Sequence, residues 1–456
     1  MSRELNPKIW SQNATLVDDA LVIAGCDVRA LAKEFGTPLF ILDESDFISR
    51  IRNWRKLLVD NFKENAGTVY FAAKAFISIE TAKILASEGI GLDVCTGGEL
   101  AVARAANFPA ERIEFHGNNK SESEIRAALD YRVRTIALDS LQEIDRVARI
   151  AKEKGITQRV IIRLTPGIDA HTHESIATAH EDVKFGFSIA SGAALEAVKK
   201  VMDSPSLNLA GVHAHIGSQI FDTTPFELSA ERLIEFLATL NRELGITLAE
   251  LDLGGGYGVA YVESDDPIAP EVMLKSLAEI VKTECNNQKI AVPKISIEPG
   301  RAIIGPSMTT IYEVGTTKEV KLENGKIRRY ISVDGGMSDN IRPGLYGAKY
   351  LALLANRTPN SADVNCRVVG KHCETGDIVI SDIDLPSDIS PGDLLAVPAT
   401  GAYGRSMASN YNHVPRPPVI SVVDATARTI LRRETESDLL ALDVDEKPRK
   451  IERAGR

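Results

Sequence analysis

The stretch Thr68-Val-Tyr-Phe-Ala-Ala-Lys-Ala75 is a β-rich apolar run that ends at a lysine. Short runs of the same kind recur as far as residue 297, and segments with helical patterning separate them. The predicted strands are residues 68–73, 90–94, 113–116, 135–139, 159–164, 210–215, 250–253 and 294–297. Eight strands that alternate with helices over about 250 residues predict a parallel (β/α)8 barrel.

Helix-start signals lie between the predicted strands. Ser121 and Ser140 are each followed three residues later by a glutamate, Glu124 and Glu143, which is the spacing of a capping box. Apolar residues recur at helical spacing across residues 233–240. These signals support the alternation of strand and helix that a barrel needs.

Polar and reactive residues fall at one end of the predicted strands. They are Lys74, Asp93, His116, Asp139, Arg163, His215, Gly254 and Glu298. A (β/α)8 barrel carries its chemistry at the carboxyl ends of its strands and binds phosphate in the loops after strands 7 and 8. The position of these residues therefore predicts a functional site at that end of the barrel.

A chain of 456 residues is too long for one ordinary core, so two domains are expected. We place the barrel at residues 45–308. Residues 309–440 predict a mostly antiparallel β domain, because short β-branched runs alternate there with Gly, Asp and Pro. Residues 1–44 carry two strand-like runs around a short helix signal, and the pattern alone assigns them to neither domain. Residues 441–456 predict a charged, solvated tail.

Composition excludes several classes of function. The net charge of -10 argues against nucleic acid as a partner. No apolar run approaches the length of a membrane span, and the amino terminus lacks the apolar core of a secretory signal. Five cysteines without CxxC spacing do not indicate a disulfide framework. We therefore expect a cytoplasmic protein in a reducing compartment, with no membrane or nucleic-acid partner.

The strand-end residues suggest covalent chemistry on a carbonyl compound. Burial shifts a lysine such as Lys74 toward the neutral amine, which is the form that attacks an aldehyde. The alternative is a lysine whose amine extends out of the strand end into solvent. Glu298, in Glu-Pro-Gly-Arg301, can keep a pyridine nitrogen protonated, and Arg301 can bind a phosphate or a carboxylate. The alternative for this pair is a structural ion pair at the barrel rim.

Glycine and histidine residues extend this interpretation. The run 254–258 can cradle a phosphate, or it can simply form a tight turn. His215 can stack on a flat ring, with Ser218 donating to a phosphate. A metal pair of His213 with His215 is an alternative. A second metal hypothesis, which we do not adopt, is the cluster His171, His173 and His180.

Two motifs in the second domain add a thiol and a cation. Cys373, in Cys-Glu-Thr-Gly-Asp377, is a candidate proton donor, although a lone cysteine is more often a small buried apolar residue. Arg342 and Tyr346 are one helical turn apart and can hold a carboxylate. An amine, a flat ring, a phosphate cradle, an acid and a thiol together match the requirements of pyridoxal phosphate (PLP). No metal is expected.

The order of these motifs resembles that of the fold-type III PLP-dependent decarboxylases, over residues 15–435. Within that family the resemblance is to the members that act on meso-2,6-diaminopimelate. It rests on Tyr70-Phe-Ala-Ala-Lys-Ala-Phe76, Phe115-His-Gly-Asn-Asn-Lys120, His215-Ile-Gly-Ser-Gln219, Leu251-Asp-Leu-Gly-Gly-Gly-Tyr-Gly258, Glu298-Pro-Gly-Arg301, Asp334-Gly-Gly-Met-Ser-Asp-Asn-Ile-Arg-Pro343, Cys373-Glu-Thr-Gly-Asp377 and Gly401-Ala-Tyr-Gly404.

The resemblance implies a role for each site residue. The implied catalytic residues are Lys74, Cys373, His215 and Glu298. The implied cofactor-binding residues are Lys74, Asp93, His215, Ser218, Gly255, Gly256, Glu298, Pro299, Gly300, Arg301 and Tyr403. The implied substrate-binding residues are Arg301, Arg342, Tyr346, Glu374 and Tyr403. The resemblance also implies a homodimer in which Cys373 and Glu374 reach the partner's active site, and it joins residues 1–44 to the β domain.

The implied reaction converts meso-2,6-diaminopimelate to L-lysine and CO2, the last step of lysine biosynthesis. The main alternative is a sister decarboxylase that acts on ornithine, arginine, lysine or carboxynorspermidine. A racemase has no need of the Cys-Glu loop. A regulator without catalytic activity on the same scaffold is disfavoured by the intact Lys74 and Cys373.

Overall fold

The computed structural model describes residues 5–168 and 184–447. The chain begins with a small antiparallel sheet of β1 (Ala14–Val17), β2 (Ala20–Ile23) and β3 (Cys26–Asp27). Helix α1 (Val28–Phe35) and strand β4 (Leu39–Asp43) follow. β4 does not enter the barrel, because it pairs with two strands from the second half of the chain.

The predicted barrel is present. Among the described residues, eight parallel strands close into a ring, since the last pairs with the first and the fourth pairs with the fifth. The barrel strands are β5 (Ala66–Ala72), β6 (Gly91–Val94), β7 (Ile113–Phe115), β8 (Thr135–Leu138), β9 (Gln158–Thr165), β11 (Leu207–His213), β12 (Glu250–Asp252) and β13 (Lys294–Ile297). A short strand, β10 (Phe187–Ser188), extends the sheet beside β9. The predicted strand positions are confirmed to within three residues at each end.

Helices connect the barrel strands. They are α2 (Glu44–Phe62), α3 (Ile79–Ser87), α4 (Gly97–Ala105), α5 (Glu122–Tyr131), α6 (Leu141–Glu153), α7 (Ala193–Met202), α8 (Thr224–Leu244), α9 (Pro270–Gln288) and the short α10 (Arg301–Ile304). The capping box at Ser121 is confirmed. At Ser140 only half of it forms, because the Glu143 carboxylate accepts from Asp139 N–H (2.9 Å) and pairs with Lys120.

The second domain is built around a mostly antiparallel sheet, as predicted. Its elements are β14 (Met308–Lys321), β15 (Ile327–Val333), α11 (Arg342–Tyr346), β16 (Leu353–Leu354), β17 (Asp363–Val369), β18 (Ile378–Pro386), β19 (Leu394–Val397), β20 (Val419–Val423), β21 (Thr426–Leu431) and α12 (Glu436–Leu440). β4 pairs with β14 and β20, so the sheet draws on both ends of the chain. The pairs β4–β20 and β15–β17 are parallel.

The long strand β14 was not predicted. Its first half is buried and pairs with β4 and β19, while its second half is largely exposed and pairs with β15. The register shifts between Val314 and Thr316, where Gly315 stands. The division into residues 45–308 and residues 1–44 with 309–440 stays a prediction. Within the described ranges, no helix is long and apolar enough to cross a membrane.

A buried lysine joins the loop after β7 to strand β8 and helix α6. Lys120 is 1% exposed; its Nζ donates to the carbonyls of Gly117 (2.6 Å) and Ala137 (2.8 Å). The same atom lies 3.0 Å from the buried Glu143 carboxylate. A buried charge is tolerated when it is paired and fully hydrogen-bonded, so this ion pair holds the loop after β7 against α6.

Replacing Lys120 tests this role. K120M leaves Glu143 buried without its cation, so we expect the stability of the protein to fall by about 3–5 kcal/mol. Urea unfolding followed by circular dichroism measures the change. The matched control is K152M on α6, the helix that carries Glu143, where the lysine is exposed and the change should be small. Equal effects of the two substitutions would contradict a structural role for Lys120.

Candidate active site

Lys74 lies in the loop after β5, beside buried acidic groups. Ala73 N–H donates to the carbonyl of Asp93 (2.9 Å), so this loop is held against β6. Burial alone lowers the pKa of Lys74, but the surrounding acids, Asp93 and Glu298 among them, raise it above its ordinary value. The expectation of a neutral amine is therefore wrong, because it counted burial and left out the neighbouring charges. Burial also raises the pKa of Asp93 to about 6.

Glu298 follows β13 and is buried against two histidines from other strands. Its Oε1 lies 3.1 Å from His116 Nε2, just after β7, and 3.2 Å from His213 Nε2, at the end of β11. The two imidazole rings meet edge-on with their centroids 4.6 Å apart. Burial raises the pKa of Glu298, but the two imidazoles outweigh burial and hold the pKa well below its usual range. Glu298 is therefore a carboxylate.

The two histidines differ in charge. Burial lowers the pKa of His116, but Asp93, Glu298 and Glu114, whose Oε1 lies 3.3 Å away, hold it well above the ordinary value. Burial lowers the pKa of His213. One imidazolium and one neutral imidazole thus contact the same carboxylate oxygen. The metal hypothesis paired His213 with His215, whereas the structure places His213 against Glu298 and His116.

His215 and the glycine loop after β12 form one wall of the site. His215 Nδ1 accepts from Gly255 N–H (3.2 Å). Burial and the nearby Lys74 lower the pKa of His215 well below its ordinary value, so the ring is neutral. A Cβ at Gly255 would lie 2.2 Å from the Glu298 carbonyl oxygen, and Gly256 has a φ of +116°. Close packing therefore requires glycine in this loop. Both interpretations of the loop, a tight turn and a phosphate cradle, agree with this requirement.

Arg301 connects the wall formed by His215 and the glycine loop to the second domain. Its Nη2 donates to Ser218 Oγ (2.9 Å) and its Nη1 to the Tyr261 hydroxyl (2.6 Å). The guanidinium carbon lies 4.7 Å from the centre of the Tyr403 ring. Tyr403 N–H in turn donates to the carbonyl of Ala75 (2.9 Å), which holds the loop after β19 against the Lys74 loop.

Arg342, the first residue of α11, is buried next to Arg301. Its Nη1 donates to the Tyr350 hydroxyl, and its guanidinium carbon lies 4.6 Å from the centre of the Tyr261 ring. Burial raises the pKa of the Tyr261 phenol, but the two arginines outweigh burial and lower it below its ordinary value. The two guanidinium groups therefore form a positive wall that the tyrosines hold in place. Tyr346, half-buried, ends the same helix.

Cys373 and Glu374 lie in an exposed loop of the second domain. Cys373 N–H donates to Asn412 Oδ1 (3.0 Å), and the Glu374 carboxylate accepts from Gly376 N–H (3.3 Å). These hydrogen bonds stay within the second domain. The structure thus brings Lys74, His215, Glu298 and the two arginines to the barrel mouth and leaves the thiol and its neighbouring acid on the surface.

Three contributors to the site were given no role by sequence reasoning. His116 was noted at a strand end and within a quoted motif, so a signal for it existed. Tyr261 and Tyr350 carried no such signal, because only the folded chain brings them to the two arginines. The hypothesis on His171, His173 and His180 concerns residues that lie outside the described ranges.

The barrel matches a known family model. Residues 44–305 match the pyridoxal-binding domain of pyridoxal-dependent decarboxylases. The match spans the β/α units that carry Lys74, His215 and Glu298. Fold and site together define a decarboxylase of this class.

Similar proteins identify the family within this class. A diaminopimelate decarboxylase of Mycobacterium tuberculosis is 51% identical over 445 residues, which cover 96% of this chain and 98% of that protein. One of Bacillus subtilis is 44% identical over 93% of this chain and 95% of that protein. The crystal structure of the M. jannaschii diaminopimelate decarboxylase with L-lysine has a TM-score of 0.88 and 30% identity, and covers 96% of this chain and 98% of that one. The chain belongs to the diaminopimelate decarboxylase family.

The residues at the barrel mouth fit pyridoxal phosphate. Lys74 supplies the amine, the neutral His215 supplies a flat ring, and the ionised Glu298 supplies an acid for a ring nitrogen. Arg301 Nε is buried and has no hydrogen-bond acceptor within the described part of the chain, so it can still bind an anion. These groups come from separate strand ends and converge in one place.

The Tyr261 hydroxyl gives a direct test of the positive wall. Y261F removes an oxygen that accepts from Arg301 and leaves a buried guanidinium N–H unsatisfied, at a cost of about 1–3 kcal/mol. We expect a lower unfolding midpoint in a thermal melt. Y257F is the matched control, since Tyr257 is equally buried but its hydroxyl makes only a 3.4 Å hydrogen bond to Gly254. A control as unstable as Y261F would show that Tyr261 does not anchor the arginines.

Proposed function

We propose that this protein removes one carboxylate of meso-2,6-diaminopimelate as CO2 and releases L-lysine, with pyridoxal phosphate as its cofactor. The identity to diaminopimelate decarboxylases over nearly the whole chain supports the reaction. The observation that carries the proposal is the buried pair of Arg301 and Arg342, which both contact Tyr261. Tyr403 joins Arg301 to the loop that carries Lys74. A diacid substrate offers this wall a carboxylate that is not lost in the reaction.

The cofactor is held by the residues that line the barrel mouth. Lys74 would supply the amine for covalent attachment, and His215 would supply a flat ring to stack on. Ser218 and the glycine loop at Gly255 and Gly256 would hold its phosphate, and Glu298 would supply an acid for its ring nitrogen. The remaining members of the proposed set are Asp93, Pro299, Gly300, Arg301 and Tyr403. When bound, pyridoxal phosphate accepts the electrons that the departing carboxylate leaves behind.

The chain's own groups control the substrate and the protons. Arg301 and Arg342 bind carboxylate through planar guanidinium forks. Glu298 stabilises a proton at the ring nitrogen, because the carboxylate is ionised and lies in a buried site where its charge acts strongly. Cys373 Sγ returns a proton to the substrate Cα. The complete proposed substrate-binding set is Arg301, Arg342, Tyr346, Glu374 and Tyr403.

The working unit that we propose is a homodimer. Cys373 and Glu374 lie on the surface, and their hydrogen bonds stay within the second domain. A partner subunit that received this loop at its barrel mouth would gain the thiol and the acid. All five cysteines fall in the described ranges and are free thiols, which supports a reducing compartment, and we place the enzyme in the cytoplasm.

Lys74 is the first test of the reaction. The wild-type protein should form lysine and CO2 from meso-diaminopimelate, with PLP linked to the peptide that contains Lys74 after borohydride reduction. K74A should fold, lose this link and lose nearly all activity, because the nucleophile is gone. Mass spectrometry identifies both the product and the labelled peptide. Exposed Lys33 provides the control K33A, and a label that persisted in K74A would refute the assignment.

Arg342 tests the choice of substrate. R342L removes the guanidinium group that pairs with the second carboxylate of a diacid substrate. The KM for diaminopimelate should therefore rise by about ten-fold or more while PLP attachment stays intact. R242L, at an exposed position on α8, should leave the KM unchanged. A normal KM in R342L, or better turnover of ornithine or lysine than of diaminopimelate by the wild type, would favour the sister decarboxylases.

Mixing inactive variants tests the shared site. K74A and C373A impair opposite halves of a site formed by two subunits, so their mixed dimer holds one intact site. With free exchange we expect recovery of about a quarter of wild-type activity. A mixture of K74A with E298Q is the control, because both residues belong to the same barrel and no intact site forms. Equal recovery in the two mixtures, with exchange confirmed by differential tags, would place Cys373 in its own chain's site.

A further inference from the structure

We propose that His116 and His213 are positioning residues for Glu298, and that they fix which of its carboxylate oxygens faces the cofactor ring. No role for either histidine follows from the proposed function. The inference rests on the proposed role of Glu298, and the experiment below separates the failure of one from the failure of the other.

The three residues come from strands that are distant in the barrel. His116 follows β7, His213 ends β11 and Glu298 follows β13. In the ring of strands none of these three is adjacent to another. The contacts of 3.1 Å and 3.2 Å to Glu298 Oε1 therefore cross the inside of the barrel. A carboxylate held from two directions in this way has little freedom to rotate.

Both imidazoles contact the same oxygen. Both Nε2 atoms lie at ion-pair distance from Oε1, although neither contact has hydrogen-bond geometry. Oε2, which neither imidazole contacts in this way, is therefore the oxygen that can accept from a ring nitrogen. All three side chains are at most 4% exposed, so water does not replace the imidazoles as partners of the carboxylate. The 4.6 Å edge-on contact between the two rings also fixes their orientation relative to each other.

The local charge favours the same arrangement. Glu114 Oε1 lies 3.3 Å from His116 Nε2, and Asp93 Oδ1 lies 3.9 Å from it. These acids keep His116 cationic, so that the ion pair with Glu298 persists at neutral pH. The cationic His116 ring also keeps Glu298 ionised, because the negative charge of the carboxylate would otherwise be buried without a compensating charge. Position and charge of the carboxylate thus depend on the same two rings.

Leucine and glutamine substitutions separate polar contact with Glu298 from space filling. H116L and H213L fill about the same volume but cannot donate, whereas H116Q and H213Q keep a nitrogen donor at similar reach. Two kinds of measurement are made for each variant. The first is the dissociation constant for PLP, from titration of the apoenzyme. The second is the pair of kinetic constants kcat and KM, each determined separately. Q158L, at the opposite end of the barrel strands, controls for a general loss of stability.

The positioning role predicts a specific pattern. The leucine variants should bind PLP about ten-fold more weakly and lose about ten-fold in kcat, with the KM for substrate unchanged. H213Q, which replaces a neutral ring, should recover most of both, whereas H116Q, which restores a nitrogen donor but not the positive charge, should recover only part. Q158L should lower the unfolding temperature without changing PLP affinity. Adding H116L to E298Q should cause no further loss of kcat, because the histidine acts through the carboxylate.

Other outcomes overturn the inference. Leucine variants that behave as wild type, glutamine variants as impaired as the leucine ones, or additive losses in the double variant would each show that the rings do not act through Glu298. If E298Q alone turned over at the wild-type rate, the proposed role of Glu298 and this inference would both fall. If E298Q were slow while H116L and H213L were normal, only this inference would fall.

Discussion

The burial of carboxylates at one end of the barrel is the constraint on which the site depends. Asp93, Glu114, Asp252 and Glu298 are each at most 4% exposed. Buried carboxylates are costly unless cations or hydrogen bonds compensate them, and here Lys74 and the histidines do so. Because Asp93, Asp252 and Glu298 lie close enough for their charges to interact, none of these three titrates on its own. Burial accordingly holds the pKa of Asp252 well above its usual range, while Glu298 stays ionised.

Much of this arrangement can be predicted from the sequence, for a geometric reason. The carboxyl ends of parallel barrel strands meet at one rim, so residues placed just after each strand must converge. Lys74, His215 and Glu298 could be placed together on this ground without any knowledge of their contacts. The positions of the barrel strands were predictable because their apolar runs are short and bounded by helical segments.

The rest depends on information that a local pattern does not contain. The strand β14 carries a glycine and a register shift at its centre, and its two halves differ in exposure, so no single period describes it. The charge of Lys74 depends on acids that follow other strands. The contact of Tyr261 with Arg342 forms only when the second domain packs on the barrel. Neither Tyr261 nor Tyr350 belongs to a recognisable motif.

Strand β4 has a consequence for the order in which the chain is synthesised. Phe40 pairs with Val419, so β4 lacks this neighbour until almost the whole chain has been translated. At typical translation rates that delay is about 20–75 s, during which the barrel strands, complete by Ile297, have all emerged from the ribosome. The run Leu39-Phe-Ile-Leu42, fully buried in the finished protein, can pair with β14 earlier, but its other edge stays open on the nascent chain until β20 is made. An open edge on an apolar strand is a template for aggregation, so the nascent chain is most vulnerable in this interval.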